Sequence, residues 1–136
     1  MTSSSVRQTT STVRVRYAET DKMGVVYHSN YLIWFEIGRT DWLRDTGMTY
    51  REMEADGIQL PVIEAHCEYR LGAKYDDDVE IMTKAKKLSP VRVQFDYEAV
   101  RRVDGALLAT GHTVHATIDR DGRPVRMPER VKDLFA

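Results

Sequence analysis

Apolar and polar residues alternate along most of this 136-residue chain, and the places where they stop alternating mark its helices and loops. Val13, Val15 and Tyr17 alternate with Arg14 and Arg16, the period-two pattern of a strand with one wet face. Residues 18–29 break the rhythm as a loop containing Gly24. With Ser29 placed as its N-cap, a helix is predicted from Asn30 to about Asp45. Its stripe of Tyr31, Trp34, Phe35, Gly38 and Trp42 is widened by Leu32, Ile33, Ile37 and Leu43, so that most of its circumference is apolar. Such a helix is expected to be buried on several sides rather than laid on a surface. Gly47 supplies its stop, and Thr49-Tyr50-Arg51-Glu52 fits a capping box for a short helix that ends at Gly57.

From there the period is two almost to the end. Ala65, Cys67, Tyr69 and Leu71 oppose Glu64, His66, Glu68 and Arg70. Val79 and Ile81 oppose Glu80 and Met82, and Val91, Val93, Phe95, Tyr97 and Ala99 oppose Arg92, Gln94, Asp96 and Glu98. Asp104-Gly105, set between two strand patterns, predicts a hairpin, and the last strand runs from about Leu107 to Ile118. Asp121-Gly122 ends it, and Pro128 to Phe135 can close with a helical turn. Short turns join antiparallel neighbours, so the fold class is α+β, an antiparallel sheet wrapped on one central helix. Residues 2–12, with eight Ser/Thr, are read as part of a loose tail over 1–11, followed by a single domain over 12–136. The tail has no apolar core of the kind a secretory signal needs.

Composition narrows the function classes. Hydrophobic residues are 42% and charged residues 30%, an ordinary globular balance, and the net charge of −1 argues against a nucleic-acid binder. That charge conceals an acidic middle, six Lys/Arg against fourteen Asp/Glu over 19–83, and a basic end, eleven against seven over 84–136. The basic end suits a local anionic ligand. Cys67 is the one cysteine, which excludes an intrachain disulfide and a cysteine-based zinc cluster. On the apolar side of its strand it is a small core residue rather than a nucleophile. No apolar run approaches the ~20 residues of a membrane span. His112 and His115 sit at an odd offset on a strand and face apart, so no metal site is expected. G-x-S-x-G, G-x-G-x-x-G and P-loop signatures are absent.

The segment with chemical content is 17–36. Asp21, Gly24 and His28 precede an apolar helix within a loop, and Val25 and Val26 make that loop too apolar to be simply solvated. A helix N-terminus presents unpaired N–H groups and partial positive charge, suited to an oxyanion formed in acyl transfer. A nearby carboxylate can attack a carbonyl or activate water, and His28 can orient substrate or share the proton work. Taken singly, Asp21 also fits a turn-forming Asp and His28 a histidine bonded to a neighbouring carbonyl.

The stretch D-x-x-G-x-V-Y-H-x-x-Y, Asp21 to Tyr31, resembles the active-site motif of the 4-hydroxybenzoyl-CoA thioesterase superfamily, most nearly its YbgC-like acyl-CoA thioesterase branch. Residues 122–129 resemble that family's C-terminal stretch, and the resemblance spans about 12–132. It implies a hotdog fold, a five-stranded antiparallel sheet around a long helix. It also implies an acyl-CoA thioesterase without cofactor, cytoplasmic, acting as a homodimer or homotetramer on acyl-CoA or an acyl carrier protein thioester. Asp21 corresponds to the family's nucleophile or general base, and the His28 backbone N–H to the group that polarises the thioester carbonyl. The hydroxybenzoyl branch has Tyr at the position of His28, which points this chain toward the acyl-CoA branch. Gly24, Val25, Val26, Tyr27 and Tyr31 would shape the pocket. Lys86, Lys87, Ser89 and Arg92 are the candidates for the CoA phosphates, with a solvated hairpin end as the equal alternative. The same pocket would serve an acyl-thioester hydratase or dehydratase, or a non-catalytic acyl-CoA-binding module.

Overall fold

The computed structural model describes residues 8–135. Among them, five strands form one antiparallel sheet: β1 (Gln8–Arg14), β2 (Val62–Tyr69), β3 (Asp78–Ser89), β4 (Arg92–Arg101) and β5 (Leu107–Ala116), in the order β1-β3-β4-β5-β2. Helices α1 (Asn30–Asp45) and α2 (Tyr50–Ala55) lie between β1 and β2 in sequence. A short α3 (Glu129–Lys132) and a 3₁₀ turn, Asp133–Phe135, follow the sheet.

The core lies between α1 and one face of the sheet. Val79 and Ile81 of β3, Val93, Phe95, Tyr97 and Ala99 of β4, and Leu108 of β5 are buried against Trp34, Phe35, Trp42 and Leu43 of α1. Phe35 stacks on Tyr97 with ring centroids 4.4 Å apart, and Trp42 meets Phe95 edge-on at 5.6 Å. Gly38 brings the helix down onto the sheet: a Cβ there would collide with the Thr83 hydroxyl and the Ile81 side chain. Helix α1 has the predicted limits, and the capping box of α2 is formed, with Glu52 N–H donating to Thr49 Oγ1 at 3.2 Å. The 104–105 hairpin closes with Gly105 N–H donating to Arg101 O at 2.8 Å.

Other expectations are corrected. Residues 8–11, read as tail, belong to β1, where Thr9 and Ser11 face the core; residues 1–7 of that tail lie outside the described residues. Backbone pairing with β3 puts this Ser/Thr stretch in the sheet despite its polarity. Strand β1 stops at Arg14, and Tyr17 turns out of it into a 3₁₀ turn, Tyr17–Glu19. Ser29 occupies the N-cap position but its side chain makes no capping bond; Asn30 Nδ2 instead donates to Glu19 O at 3.0 Å and Tyr27 O at 3.2 Å. Strand β5 ends two residues early, at Ala116. Two apolar surfaces expected to be covered are open in the single chain. Leu32, Ile33 and Ile37 on α1 are 38–54% exposed, and on β2 Ala65 and Tyr69 stay exposed while only Cys67 is half-buried. The α1 surface lies away from the core because α1 turns its other side to the sheet, and on the edge strand β2 only Cys67 packs against the core.

The two histidines of H-x-x-H do part company. His112 stacks on His66 of β2, ring centroids 5.4 Å apart, and His66 bonds Glu68 at 3.1 Å. His115 points inward and is 1% exposed. Its Nδ1 lies 2.9 Å from Leu60 O, which can only accept, so Nδ1 carries the proton. Nε2 then accepts from Thr113 Oγ1 at 2.8 Å, and Thr113 accepts from the Tyr97 hydroxyl at 2.7 Å. Burial pushes the His115 pKa down to about 4 from 6.5, the Leu60 carbonyl opposes that shift, and the Arg39 charge adds to it. With the folded pKa below the unfolded one, the unfolded chain binds the extra proton between the two values. This contribution to stability is complete above about pH 6.5 and is lost as pH falls toward 4, about 3 kcal/mol in all. Urea unfolding between pH 7 and 4.5 should show that slope, and His115→Asn should flatten it; an equal slope in the variant assigns it to other groups.

Candidate active site

The loop from Arg16 to Ser29 is held from beneath by Glu19. This carboxylate is 5% exposed and accepts from Arg16 N–H at 2.8 Å, from the Arg16 guanidinium at 3.5 Å and from the Trp34 indole N–H at 3.2 Å. Its backbone carbonyl receives Tyr27 N–H at 2.8 Å and Asn30 Nδ2 at 3.0 Å. One residue thus ties both ends of the loop to α1.

Within that frame Asp21 opens a tight turn. Asp21 Oδ1 accepts from Met23 N–H at 2.8 Å and from Val25 N–H at 3.4 Å, and Gly24 closes the turn at φ +81°, a backbone conformation that side chains with a Cβ rarely adopt. The turn-forming role is therefore real, but it occupies Oδ1; Oδ2 takes part in neither bond. Val25 and Val26 are apolar because the 71–77 loop lies over them: Val26 N–H donates to Ala73 O at 2.9 Å, and Val25 bridges to Lys74.

Asp21, Val25, Val26, His28 and Tyr31 line one cavity of about 300 Å³, closed on the other side by Tyr69, Arg70, Leu71 and Gly72. Tyr31 is buried, and its hydroxyl accepts from Ala73 N–H at 3.4 Å. Tyr27 stays half-exposed outside the cavity, packed on the His28 ring at 4.4 Å. At the start of α1, the N–H groups of Asn30, Tyr31 and Leu32 each bond the carbonyl three residues back. Among the described residues, the His28 N–H donates to no backbone carbonyl.

The sequence pattern did not single out Tyr69, Arg70, Leu71 and Gly72 as site residues. Tyr69 donates to His28 O at 3.2 Å and sets its ring edge-on to both His28 and Tyr31, at 6.1 and 5.4 Å. Its only trace in sequence is a large aromatic at the end of an edge strand, which any core contact explains equally well. Cys67 is half-buried against the core, with burial pushing its thiol pKa up, as suits a packing residue.

Lys86, Lys87, Ser89 and Arg92 are not brought to this cavity. The Asp78 end of β3 pairs with Arg14 beside the loop, and Ser89 lies eleven residues farther on, about 36 Å along the strand at ~3.3 Å per residue. There, Lys87 shares a separate hollow of about 180 Å³ with Arg126, Glu129 and Lys132. Among the described residues, no group of His, Cys, Asp or Glu is arranged to hold a metal ion, and no helix is long and apolar enough to cross a membrane.

A loop carboxylate and a helix start on one apolar cavity can polarise a carbonyl and attack it. Comparison with known proteins gives the family. The model of the thioesterase-like superfamily matches residues 15–135. The acyl-CoA thioesterase YbgC of Haemophilus influenzae is 31% identical over 125 residues, covering 90% of each chain. Among solved structures, a hypothetical protein from Thermus thermophilus is 36% identical at a TM-score of 0.86, covering 95% of each chain. A DHNA-CoA thioesterase from Staphylococcus aureus is 38% identical at a TM-score of 0.82, covering 88% of this chain and 80% of its own. The chain belongs to the thioesterase-like superfamily, as a hotdog-fold thioester hydrolase similar to the YbgC-type acyl-CoA thioesterases.

Proposed function

We propose that Asp21 and the start of α1 hydrolyse the thioester of an acyl-CoA, giving a free acid and CoA. The observation that carries this reading is the presence of the Asp21 carboxylate and His28 on one largely apolar cavity. The substrate carbonyl accepts from the His28 N–H, where helix charge favours a developing oxyanion. Asp21 either attacks the carbonyl carbon, giving an anhydride that water opens, or removes a proton from the attacking water. In both routes the C–S bond breaks, a C–O bond forms, and the departing sulfur leaves as the CoA thiol. A panel of acyl-CoAs monitored with a thiol reagent tests this. Binding of a non-hydrolysable analogue by calorimetry, with no thiol released from any ester, would instead make the protein a binding module.

The open surfaces support a second copy as the missing wall. Among the described residues, strand β2 has one unpaired edge, and beside it Leu32, Ile33, Val62 and Ala65, together with Glu36, Arg39 and Thr113, line a mainly apolar groove of about 240 Å³. Pairing of two β2 edges would satisfy the strand's free N–H and C=O groups and bury the apolar side of α1. In such an assembly Lys86, Lys87, Ser89 and Arg92 of another copy are the proposed contacts for CoA phosphates, since their own cavity is distant. Ile33→Asp should reduce the assembly to single chains in sedimentation; a wild-type mass of one chain contradicts the arrangement.

A further inference from the structure

The His28 N–H lies in the peptide plane between Tyr27 and His28, and its direction is set by that plane and the next, between His28 and Ser29. Both planes are held through their carbonyls. The Tyr27 carbonyl accepts from Asn30 N–H at 3.0 Å and from Asn30 Nδ2 at 3.2 Å. The His28 carbonyl accepts from Tyr31 N–H at 3.2 Å and from the Tyr69 hydroxyl at 3.2 Å. The backbone bond in each pair belongs to the way this helix starts. The side-chain bond in each pair is an addition, and the two come from different elements, Asn30 from α1 and Tyr69 from β2.

The Asn30 amide donates to two carbonyls, Tyr27 O and Glu19 O, the latter at 3.0 Å. Carbonyls only accept, so the NH₂ group faces them and the orientation of the amide is settled. Glu19 O also receives the Tyr27 N–H at 2.8 Å, so the Asn30 side chain and the Tyr27 backbone share one anchor. Tyr69 is half-exposed at the open side of the cavity, where water is at hand, yet its hydroxyl bonds the His28 carbonyl. Partial burial, with Cys67 adding to it, pushes the Tyr69 pKa up to about 12, so the hydroxyl keeps its proton and stays a donor. A peptide whose carbonyl accepts hydrogen bonds is more polarised, and its N–H donates more strongly, bonds in such a chain strengthening one another by about 10–30%. A donor for an oxyanion acts by pointing, before reaction, at the place where charge develops.

We propose that Asn30 and Tyr69 are positioning residues of the hydrolysis, a clamp on the two carbonyls beside His28 that aims its N–H at the thioester carbonyl. Both act through the His28 amide: Asn30 polarises the peptide that carries the N–H, and Tyr69 fixes the plane that follows it. The proposal rests on the thioesterase reading above.

Tyr69→Phe removes the hydroxyl and keeps the ring against His28 and Tyr31. Asn30→Asp keeps a residue whose charge suits the start of α1 but has no side-chain N–H to give. On an acyl-CoA that the wild type hydrolyses, each should lower kcat about tenfold with KM little changed, as for an interaction realised in the transition state. Asn30→Ala, which adds no charge, should match Asn30→Asp in kcat. Melting curves of Tyr69→Phe and Asn30→Asp should stay near that of the wild type. An acyl-CoA analogue with a methylene in place of sulfur keeps the carbonyl and resists hydrolysis. With carbon-13 at that carbonyl, its C=O stretch in the bound state should move to higher frequency in both variants, reporting a weaker bond from the N–H. The clamp is overturned if the losses in kcat match the unfolded fraction, which is a structural role, or if KM rises with kcat unchanged, which is a substrate contact. It is also overturned if the stretch stays at the wild-type frequency, if turnover is unchanged, or if only one of the two positions matters. Wild-type protein that releases thiol from no acyl-CoA defeats the thioesterase reading and the clamp with it, a result distinct from the others.

Discussion

Asp21→Asn should lower kcat by about 10³-fold with little change in KM, within the range that a positioned acid or base contributes. The substitution separates two roles that share one side chain. Asp21 Oδ1 accepts from the Met23 and Val25 amides, and an asparagine carbonyl can accept the same two bonds, so the turn around Gly24 survives. What the amide lacks is a carboxylate able to attack a carbonyl or take a proton from water. Asp21→Ala removes the turn bonds as well, and should lose both turnover and local order. Initial rates on an acyl-CoA panel with a thiol reagent, together with a melting curve, give the two readouts. Wild-type turnover in Asp21→Asn makes the residue a turn former only and moves the chemistry elsewhere.

Glu19→Ala should cost about 3 kcal/mol of folding stability, from leaving two or more donors without an acceptor at ~1–3 kcal/mol each. The Trp34 indole N–H, 3.2 Å from Glu19 Oε2, belongs to a side chain that is 1% exposed and has no water to turn to. The Arg16 amide loses its 2.8 Å bond as well. Glu19→Gln keeps one carbonyl acceptor and should cost less. Activity should fall further than the unfolded fraction explains, because Asp21 stands two residues beyond this anchor on the same loop. Urea denaturation gives the first quantity, and turnover at saturating acyl-CoA without urea the second. A double cycle with Trp34→Phe should show the two changes to be non-additive, since each removes the same bond. A loss below about 0.5 kcal/mol, the level of an ordinary surface change, refutes the anchoring role.

Both effects concern a loop whose meaning was only half legible in the sequence. The acid, glycine and histidine before an apolar helix stood out, and so did the limits of α1, because helical spacing, Gly47 and the 49–52 capping box are local signals. Glu19 did not stand out. A carboxylate in a polar loop looks solvated, and only the fold shows it bonded to the buried Trp34 indole N–H. Tyr69 was hidden for a different reason: its partner, His28, is 41 residues away, and no local rule predicts that contact. The Ser/Thr stretch over 8–11 has the composition of a loop, yet pairing with β3 outweighs composition.

By itself, the sequence determined the α+β class, the order of elements, the central helix and the short candidate segment before it, since each follows from periodicity or from residues within one turn of one another. Tertiary structure alone decided which residues meet across the cavity. It separated Lys86, Lys87, Ser89 and Arg92 from Asp21 by the length of a strand, and it left α1 and β2 with apolar surface that one chain does not cover. The physical reason is the range of the interactions. Hydrogen-bonded turns and helical faces are set by neighbours a few residues apart. Sheet order and register instead come from burying the whole apolar face at once, and every long-range contact at the site depends on them.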